Sequence, residues 1–224
     1  MTDIRRSRLL ALCLAAAPLM GCASGGSPAS ETAPPPDPSL SRLEAIYQAR
    51  ADSARMNVSP ADVAFMTGMI HHHAQALVMS GWAPTNGASA SIRTLTARII
   101  NAQKDEIGIM QRWLRERGRP VPEVGAGGEM EMGGHAMHMP GMLSEQQLAE
   151  LKAARGGDYD RLFLTYMIQH HQGAVTMVHE LFATDGAAQD EFVFKLASDI
   201  QVDQTTEVAR MQRMLDALPP ARDR

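Results

Sequence analysis

The chain has 224 residues, of which 45% are hydrophobic, enough for one medium-sized domain with a buried core. Its formal net charge of −4 leaves no basic surface of the kind that binds nucleic acid. Aromatic residues make up only 4%, whereas methionines number 16, a composition that favours helices over a β-sandwich. Both cysteines, Cys13 and Cys22, lie near the N-terminus, so the rest of the chain offers neither a disulfide framework nor a cysteine-based zinc site.

The first 21 residues have the pattern of a secretory signal peptide. A basic segment at 5–8 precedes an apolar segment at 9–19 that is too short to span a bilayer. Cys22 completes a sequence that resembles the lipobox of bacterial lipoproteins, in which this cysteine is lipidated and becomes the first mature residue. We therefore predict an exported protein with a lipid anchor in the membrane of the bacterial cell envelope. Ala23, directly after the cysteine, favours the outer membrane, facing the periplasm.

An internal repeat organises most of the chain. Residues 22–39 are rich in Gly, Ser and Pro and predict a flexible tether, which leaves residues 40–218 for the folded domain. Within that domain, residues 62–79 match residues 160–177 at a constant offset of 98. A second pair of segments, beginning at Ile99 and Ile200, matches at an offset of 101. The chain is therefore predicted to be a duplicated helical hairpin.

Local signals place four long helices and two short ones. Ser59 followed by Pro60 predicts a capped helix start, and Gly118 with Pro120 predicts a stop. Four long helices without a strand pattern predict an all-α fold, a four-helix bundle. The predicted long helices run over about residues 59–83, 89–117, 158–183 and 187–218, and the short ones over about 39–55 and 144–154.

One face of the first helix in each repeat carries two adjacent histidines. At 100° per residue, His72 and His73 lie on the apolar stripe of the first copy, and His170 and His171 lie on that of the second. His71 points to the opposite face and has no histidine counterpart in the repeat. Each neutral imidazole needs both a donor and an acceptor partner, so four of them in one bundle interior are hard to satisfy with hydrogen bonds alone. Coordination of a transition metal satisfies them directly.

The helical methionines divide into two groups. Met69 and Met167 lie one turn before the histidine pairs and are candidate soft ligands beside them. Methionine at helical spacing more often fills gaps in a core than binds a metal. We apply that interpretation to the remaining helical methionines: Met66, Met79, Met110, Met177, Met211 and Met214.

The linker between the two hairpins, at 129–142, is rich in methionine and histidine. It has no periodic face to bury, so we expect its thioethers to be exposed. Soft thioether and imidazole donors on a flexible backbone suit copper, especially Cu(I). The alternative is a linker of biased composition without a metal. The residues concerned are Met130, Met132, His135, Met137, His138, Met139 and Met142.

The paired Met-Ile-x-His-His segments, their Gln-x-x-Glu-x-x-x-Met partners and the Met-Pro-Gly-Met of the linker resemble the bacterial domain of unknown function 305 family, over roughly residues 60–216. The resemblance implies a ferritin-like bundle, and some family members are periplasmic copper-binding proteins implicated in copper resistance. It carries a ligand role over to His72, His73, His170, His171, Met69 and Met167. We therefore predict an envelope protein that sequesters, buffers or hands on copper, as Cu(I) or Cu(II), with a copper-handling protein as partner.

Two other functions compete with copper binding. A ferritin-like dinuclear iron or manganese oxidase would use carboxylates together with histidine, and Glu106 and Glu207 on the partner helices are candidate ligands for it. The histidine-bearing helices lack a glutamate at the spacing such sites use, and the usual catalytic motifs are missing, so binding is favoured over catalysis. A metal-free structural or partner-binding bundle is the third hypothesis. It would be favoured if the four histidines were individually hydrogen-bonded.

The place of the two glutamates depends on the topology. Within a hairpin, counting from the loop sets His73 opposite residue 98, so Glu106 lies about 12 Å further along the axis at 1.5 Å per residue. We therefore expect no direct ligation that joins the two within a hairpin. If the second hairpin ran antiparallel to the first, Glu106 would approach the second histidine pair, and Glu207 would approach the first. The sequence leaves the relative direction of the hairpins open.

Overall fold

The computed structural model describes residues 38–56, 58–129 and 139–220. These ranges contain six helices and no strand, which confirms the all-α prediction. The predicted signal peptide with Cys22, most of the tether and linker residues 130–138 lie outside the described residues. The helices are α1 (Pro38–Met56), α2 (Pro60–Gly81), α3 (Ala90–Glu116), α4 (Glu145–Ala153), α5 (Gly156–Ala183) and α6 (Glu191–Asp216).

The chain divides into two compact units, Met1–Glu44 and Ala45–Arg224, and the second contains α2 to α6. Within it, α2 packs against α3, α5 packs against α6, and α2 also packs against α5. The two hairpins predicted from the repeat are therefore joined through their first helices. Across the described ranges, none of the helices is both long enough and apolar enough to cross a membrane.

Side-chain caps explain where the helices begin. The Ser59 hydroxyl accepts a hydrogen bond from the Ala61 amide, and Pro60 occupies the first turn of α2. Ser89 caps α3 in the same way, as the sequence predicts. The prediction for α5 differs slightly, because this helix begins at Gly156, about one half-turn before the expected start, without a side-chain cap.

Hydrogen bonds at the two ends of the bundle fix the direction of the hairpins. Asp160, near the start of α5, accepts a hydrogen bond from the amide of Ser89 at the start of α3 (3.2 Å). The Tyr159 hydroxyl donates to the carbonyl oxygen of Met79, near the end of α2 (2.9 Å). The start of α5 therefore lies beside the end of α2, so the two hairpins are antiparallel.

The opposite end of the bundle has the matching contacts. Asp62, the repeat counterpart of Asp160, accepts a hydrogen bond from the Ala188 amide at 2.7 Å, just before α6. Arg117 at the end of α3 forms an ion pair with Asp190, the N-cap of α6, at 2.7 Å. A two-fold relation therefore exchanges the hairpins and reverses the bundle axis, the arrangement that the sequence left open.

The interior consists of two apolar clusters with a polar layer between them. The first cluster is built from the first half of α2, the second half of α3, the second half of α5 and the first half of α6, around Met69, Trp113 and Val178. The second cluster uses the complementary halves, around Ile92 and Phe163. Burial confirms the core interpretation of the helical methionines. Met66, Met79, Met110, Met177 and Met211 are buried, and Met214 packs against the second cluster.

The crossover between the hairpins breaks their symmetry at one repeat position. In the first hairpin this position is Gln75, whose side chain donates to the Leu143 carbonyl oxygen (3.1 Å) and accepts from its amide (2.8 Å). In the second hairpin it is Gly173, on which the crossover backbone at Pro140 and Gly141 lies directly. A glutamine holds the crossover to α2, and a glycine gives it room to cross α5.

The Gly173→Ala variant is expected to destabilise the fold. A Cβ there would overlap the Pro140 carbonyl oxygen and approach Gly141 Cα to 2.5 Å, so backbone must move. We expect a loss of about 1–3 kcal/mol in the free energy of unfolding, measured by urea denaturation, although alanine favours a helix. The control is Gly108→Ala in α3, where a Cβ meets no atom within 4 Å. Equal stability of the two variants would contradict the close approach.

Candidate metal centre

The four predicted histidines meet in the polar layer between the two apolar clusters. His72 and His73 on α2 and His170 and His171 on α5 all have 0% of their surface exposed. The rings of His72 and His170 lie with their centroids 3.8 Å apart and their planes tilted by 39°, and the ring centroids of His170 and His171 are 6.2 Å apart. The predicted apolar stripe of each repeat therefore does bring its histidine pair into the bundle interior.

Each hairpin pairs one of its histidines with a glutamate. His73 Nε2 lies 2.6 Å from Glu106 Oε2, and His171 Nε2 lies 2.8 Å from Glu207 Oε2. The glutamate side chains are 15% and 20% exposed, so they connect the buried rings to the bundle surface. These contacts contradict the expectation that histidine and glutamate of one hairpin stay too far apart to share a site.

The direction of side chains on a helix explains why that expectation was wrong. A residue count compares backbone levels, whereas side chains lean toward the N-terminus of their helix. In an antiparallel hairpin, His73 on α2 leans away from the loop and Glu106 on α3 leans toward it, so their ends approach each other along the axis. The hairpins are antiparallel, yet each glutamate is hydrogen-bonded to a histidine of its own hairpin. The expectation that this arrangement would bring each glutamate to the other histidine pair was therefore wrong.

The other two histidines donate to backbone carbonyl groups. His72 Nε2 donates to the Pro140 carbonyl oxygen in the crossover (3.0 Å), and His170 Nε2 donates to the His72 carbonyl oxygen (2.9 Å). All four Nε2 partners in this layer are oxygen acceptors. The Nε2 atom of each ring therefore carries the proton, which leaves Nδ1 with a lone pair.

These Nδ1 atoms are among the unsatisfied polar groups of the interior. Among the residues that the structure describes, none of the four has a hydrogen-bond partner, although all are buried. Gln103, one turn from Glu106, likewise has its buried Nε2 and Oε1 atoms without a hydrogen-bond partner among the described residues. The buried Oε1 atom of Gln204 also has none. So many buried polar atoms in one layer call for an ion or water to satisfy them. The repeat match at offset 101 already singled out both glutamines, but their polar role was missed.

Burial and neighbouring histidines keep the rings of His72 and His170 neutral. Burial lowers the pKa of His72 to about 3, with a further lowering by His73. Burial likewise lowers the pKa of His170 well below its usual range, and the neighbouring His72 adds to this. At the edge of the layer, burial raises the pKa of Asp203, and Glu106 and Glu207 raise it further. Asp203 therefore adds a third carboxylate beside the two glutamates, one that sequence reasoning did not single out.

The described side chains do not form a ready coordination sphere. Within the described ranges, no group of three or more His, Cys, Asp or Glu side chains is placed to hold one metal ion. The two predicted sulfur ligands are apart, because Met69 belongs to the first apolar cluster and Met167 to the second. The donor chemistry nevertheless fits copper, since each of the four imidazoles has an Nδ1 atom without a hydrogen-bond partner among the described residues.

Only the C-terminal end of the Met/His-rich linker lies within the described residues. Met142 is buried and Met139 is half-buried, packed against the first apolar cluster. The expectation of exposed thioethers is therefore wrong for Met142 and only partly right for Met139, because the crossover packs onto α2 and α5. The other linker candidates lie outside the described residues: Met130, Met132, His135, Met137 and His138.

Comparisons with known proteins agree with this architecture. The DUF305 fragment from Deinococcus radiodurans is 30% identical, with a TM-score of 0.62, and the match covers 72% of this chain and 99% of that one. A DUF305 protein from Streptomyces coelicolor is 25% identical (TM-score 0.59), covering 70% and 91% of the two chains. CopM in its Cu(II)-bound form is 30% identical (TM-score 0.54), covering 69% and 95%, and CopM structures with Cu(I) and with Ag match as well.

A search of curated proteins gives no match. The family model of the domain of unknown function 305, by contrast, matches residues 62–215, which include both hairpins and the crossover between them. This chain belongs to the DUF305 family.

Proposed function

We propose that this protein binds copper through its histidine layer. The observation that carries the proposal is the set of four buried imidazoles, each with Nε2 committed to an oxygen acceptor and Nδ1 uncommitted. A histidine that donates one ring N–H to a carboxylate or a carbonyl is oriented to bind a metal through its other nitrogen. The related CopM structures hold Cu(II), Cu(I) and Ag.

The glutamates would act on the ligands rather than as ligands. Glu106 and Glu207 hold His73 and His171 in one tautomer and make the rings more basic, which strengthens binding of a metal. Cu(I) requires fewer ligands than iron or manganese in an oxidase site, so it suits a layer without a larger donor group. Metal content after competition among copper, iron, zinc and manganese tests this preference.

The finer role that we propose is sequestering, buffering or handing on copper in the cell envelope. The Met/His-rich linker would collect Cu(I), because its thioethers and imidazoles are soft donors. A lipid on Cys22 would hold the protein at the outer membrane, facing the periplasm, and a copper-handling protein would be its partner. The tether at 22–39 would give the folded domain reach from the membrane.

A metal-free structural layer is the second candidate function. It is favoured by the four hydrogen bonds at Nε2, each of which satisfies half of a buried ring. It leaves the four Nδ1 atoms and Gln103 without partners within the described ranges. The two candidates differ in metal uptake, which the histidine variants measure.

Removing either histidine pair is expected to lower the amount of copper bound. The variants are His72→Ala with His73→Ala, and separately His170→Ala with His171→Ala. Far-UV circular dichroism should remain helical, because the two apolar clusters carry most of the packing. The control is His179→Ala, an exposed histidine on α5. If a variant lacking all four core histidines bound as much copper as the wild type, the histidine layer would not be the site.

The metal-free protein is expected to lose stability as the pH falls below about 6.5. An unfolded histidine takes up a proton near that pH, whereas folded His72 resists protonation down to about pH 3. The unfolded state therefore binds more protons. The free energy of unfolding falls by up to about 1.4 kcal/mol per pH unit for each such histidine. Above about pH 6.5 these histidines are neutral in both states and no longer lower the free energy of unfolding.

Urea denaturation between pH 7 and pH 5 measures this loss. The variant His72→Gln with His170→Gln should lose less stability over that range than the wild type, because it removes the two buried rings whose pKa is lowered. An identical pH dependence of the two proteins would show that these rings do not resist protonation in the folded state.

Replacing Cys22 is expected to release the protein from the membrane. Cys22→Ala removes the thiol that the lipobox presents for acylation, and the remaining apolar segment is too short to anchor the chain. Labelling with a radioactive fatty acid and fractionation of the envelope measure the change, with Cys13→Ala as the matched control. A wild-type protein that never acquires the label would contradict the lipid anchor.

A further inference from the structure

A second group of soft donors lies around Gly68 of α2, where the buried Met177 of the first apolar cluster meets the half-buried Met139 at the edge of the bundle. A methyl group placed on Gly68 would lie 3.2 Å from the sulfur atom of Met139 and 3.3 Å from the terminal methyl of Met177. Met139 comes from the crossover and Met177 from α5. Two thioether ends from separate parts of the chain therefore meet at one point on α2, where the glycine leaves room for them.

His71 adjoins this point. It lies three residues after Gly68 on α2, and helical side chains lean over the preceding turn, so residue 71 is on the side of the helix that carries Gly68. His71 is half-buried, and its Nδ1 atom is buried without a hydrogen-bond partner among the residues that the structure describes. Sequence reasoning set this histidine aside because the repeat does not preserve it.

The second hairpin has no such group at the equivalent position. The counterpart of His71 is Gln169, whose amide donates to the Gly141 carbonyl oxygen and accepts from Gln147. The counterpart of Gly68 is Tyr166, whose hydroxyl donates to Glu150. The duplication therefore leaves a soft, unsatisfied donor group on α2, where the crossover packs, and fills the same place on α5 with satisfied polar side chains.

We propose that His71, Met139 and Met177 form a second copper site, specific for the monovalent soft ions Cu(I) and Ag(I). The proposal rests on the proposed copper-binding function and adds to it a site at the surface. Two thioethers and one imidazole prefer Cu(I) to Cu(II) or Zn(II). Unlike the fully buried histidine layer, His71 and Met139 are partly open to solvent.

The surface site lies next to the buried layer. Pro140, the residue after Met139, accepts the hydrogen bond from His72 Nε2. Two of its proposed ligands are therefore each one residue from this hydrogen bond, since Met139 precedes Pro140 and His71 precedes His72. The site would receive Cu(I) from outside and hold it beside the core.

The test compares two variants of the full chain, with Cys13→Ser and Cys22→Ser in every protein so that no thiol competes for Cu(I). The site variant carries His71→Gln, Met139→Leu and Met177→Leu, which keep side-chain volume, and glutamine is the residue that the second hairpin has at this position. The matched control carries His179→Gln and Met79→Leu. Met79 is the repeat counterpart of Met177, and His179 is exposed and bonded to Gln201.

Anaerobic competition with a Cu(I) chelator gives the stoichiometry. We expect the wild type and the control to bind the same number of Cu(I) ions and the site variant to bind one fewer, while Cu(II) binding is unchanged in all three. Equal Cu(I) binding by the site variant would overturn this site and leave the histidine layer intact. A wild type that binds Cu(II) but no Cu(I) would overturn this site alone, and a wild type that binds neither ion would overturn both proposals.

Nuclear magnetic resonance of methyl-labelled methionine keeps the site testable if the triple variant fails to fold. Single substitutions to leucine assign the Met139, Met177 and Met79 methyl signals. The first equivalent of Ag(I) added to the wild type should shift the signals of Met139 and Met177 and leave that of Met79 in place. An unmoved Met177 signal would overturn the surface site.

Discussion

Among the described residues, the two apolar clusters are separated by a layer of histidine, glutamine and glutamate side chains, and its fully buried histidines have to find their hydrogen-bond partners inside the protein. Burial of these groups is costly unless they are paired, which explains why His73 and His171 each reach a glutamate and why His72 and His170 each reach a carbonyl group. The helices can slide past each other only by breaking these pairs. The layer therefore sets the register of the bundle as well as its chemistry.

The crossover depends on the same layer. Its Pro140 carbonyl oxygen accepts the hydrogen bond from His72. Gln75 on α2 is hydrogen-bonded to the crossover, and Gly173 on α5 has no side chain, so the crossover backbone can pack against it. Because these two residues occupy the same repeat position, the difference between them is what lets one connection serve two otherwise equivalent hairpins. The two His–Glu pairs keep their two-fold relation. The crossover breaks it at the other two histidines, since His72 donates to Pro140 whereas His170 donates to His72.

Features with a local cause were predictable from the sequence. The caps at Ser59 and Ser89 set helix starts through contacts within one turn, and the spacing of His72 and His170 put both on a buried stripe. The pairing of His73 with Glu106 was not predicted, because residue counts ignore the lean of side chains along a helix. The direction of the hairpins was open, since a repeat fits either arrangement. Met142 is buried because the crossover packs onto the bundle, and such packing produces no hydrophobic periodicity in the sequence.

The two-fold relation between the hairpins has a consequence for how such a chain could arise. Each hairpin carries half of the layer, with two histidines, one glutamine and one glutamate. The face of each hairpin that carries these residues is covered by the other hairpin. A single hairpin would leave that face in water, whereas two identical hairpins would close it as a symmetric homodimer. Joining two copies of such a half-length chain in one polypeptide makes the partner permanent and gives the two-fold relation of this bundle. Only after fusion could the two halves diverge, as they have at Gln75 and Gly173.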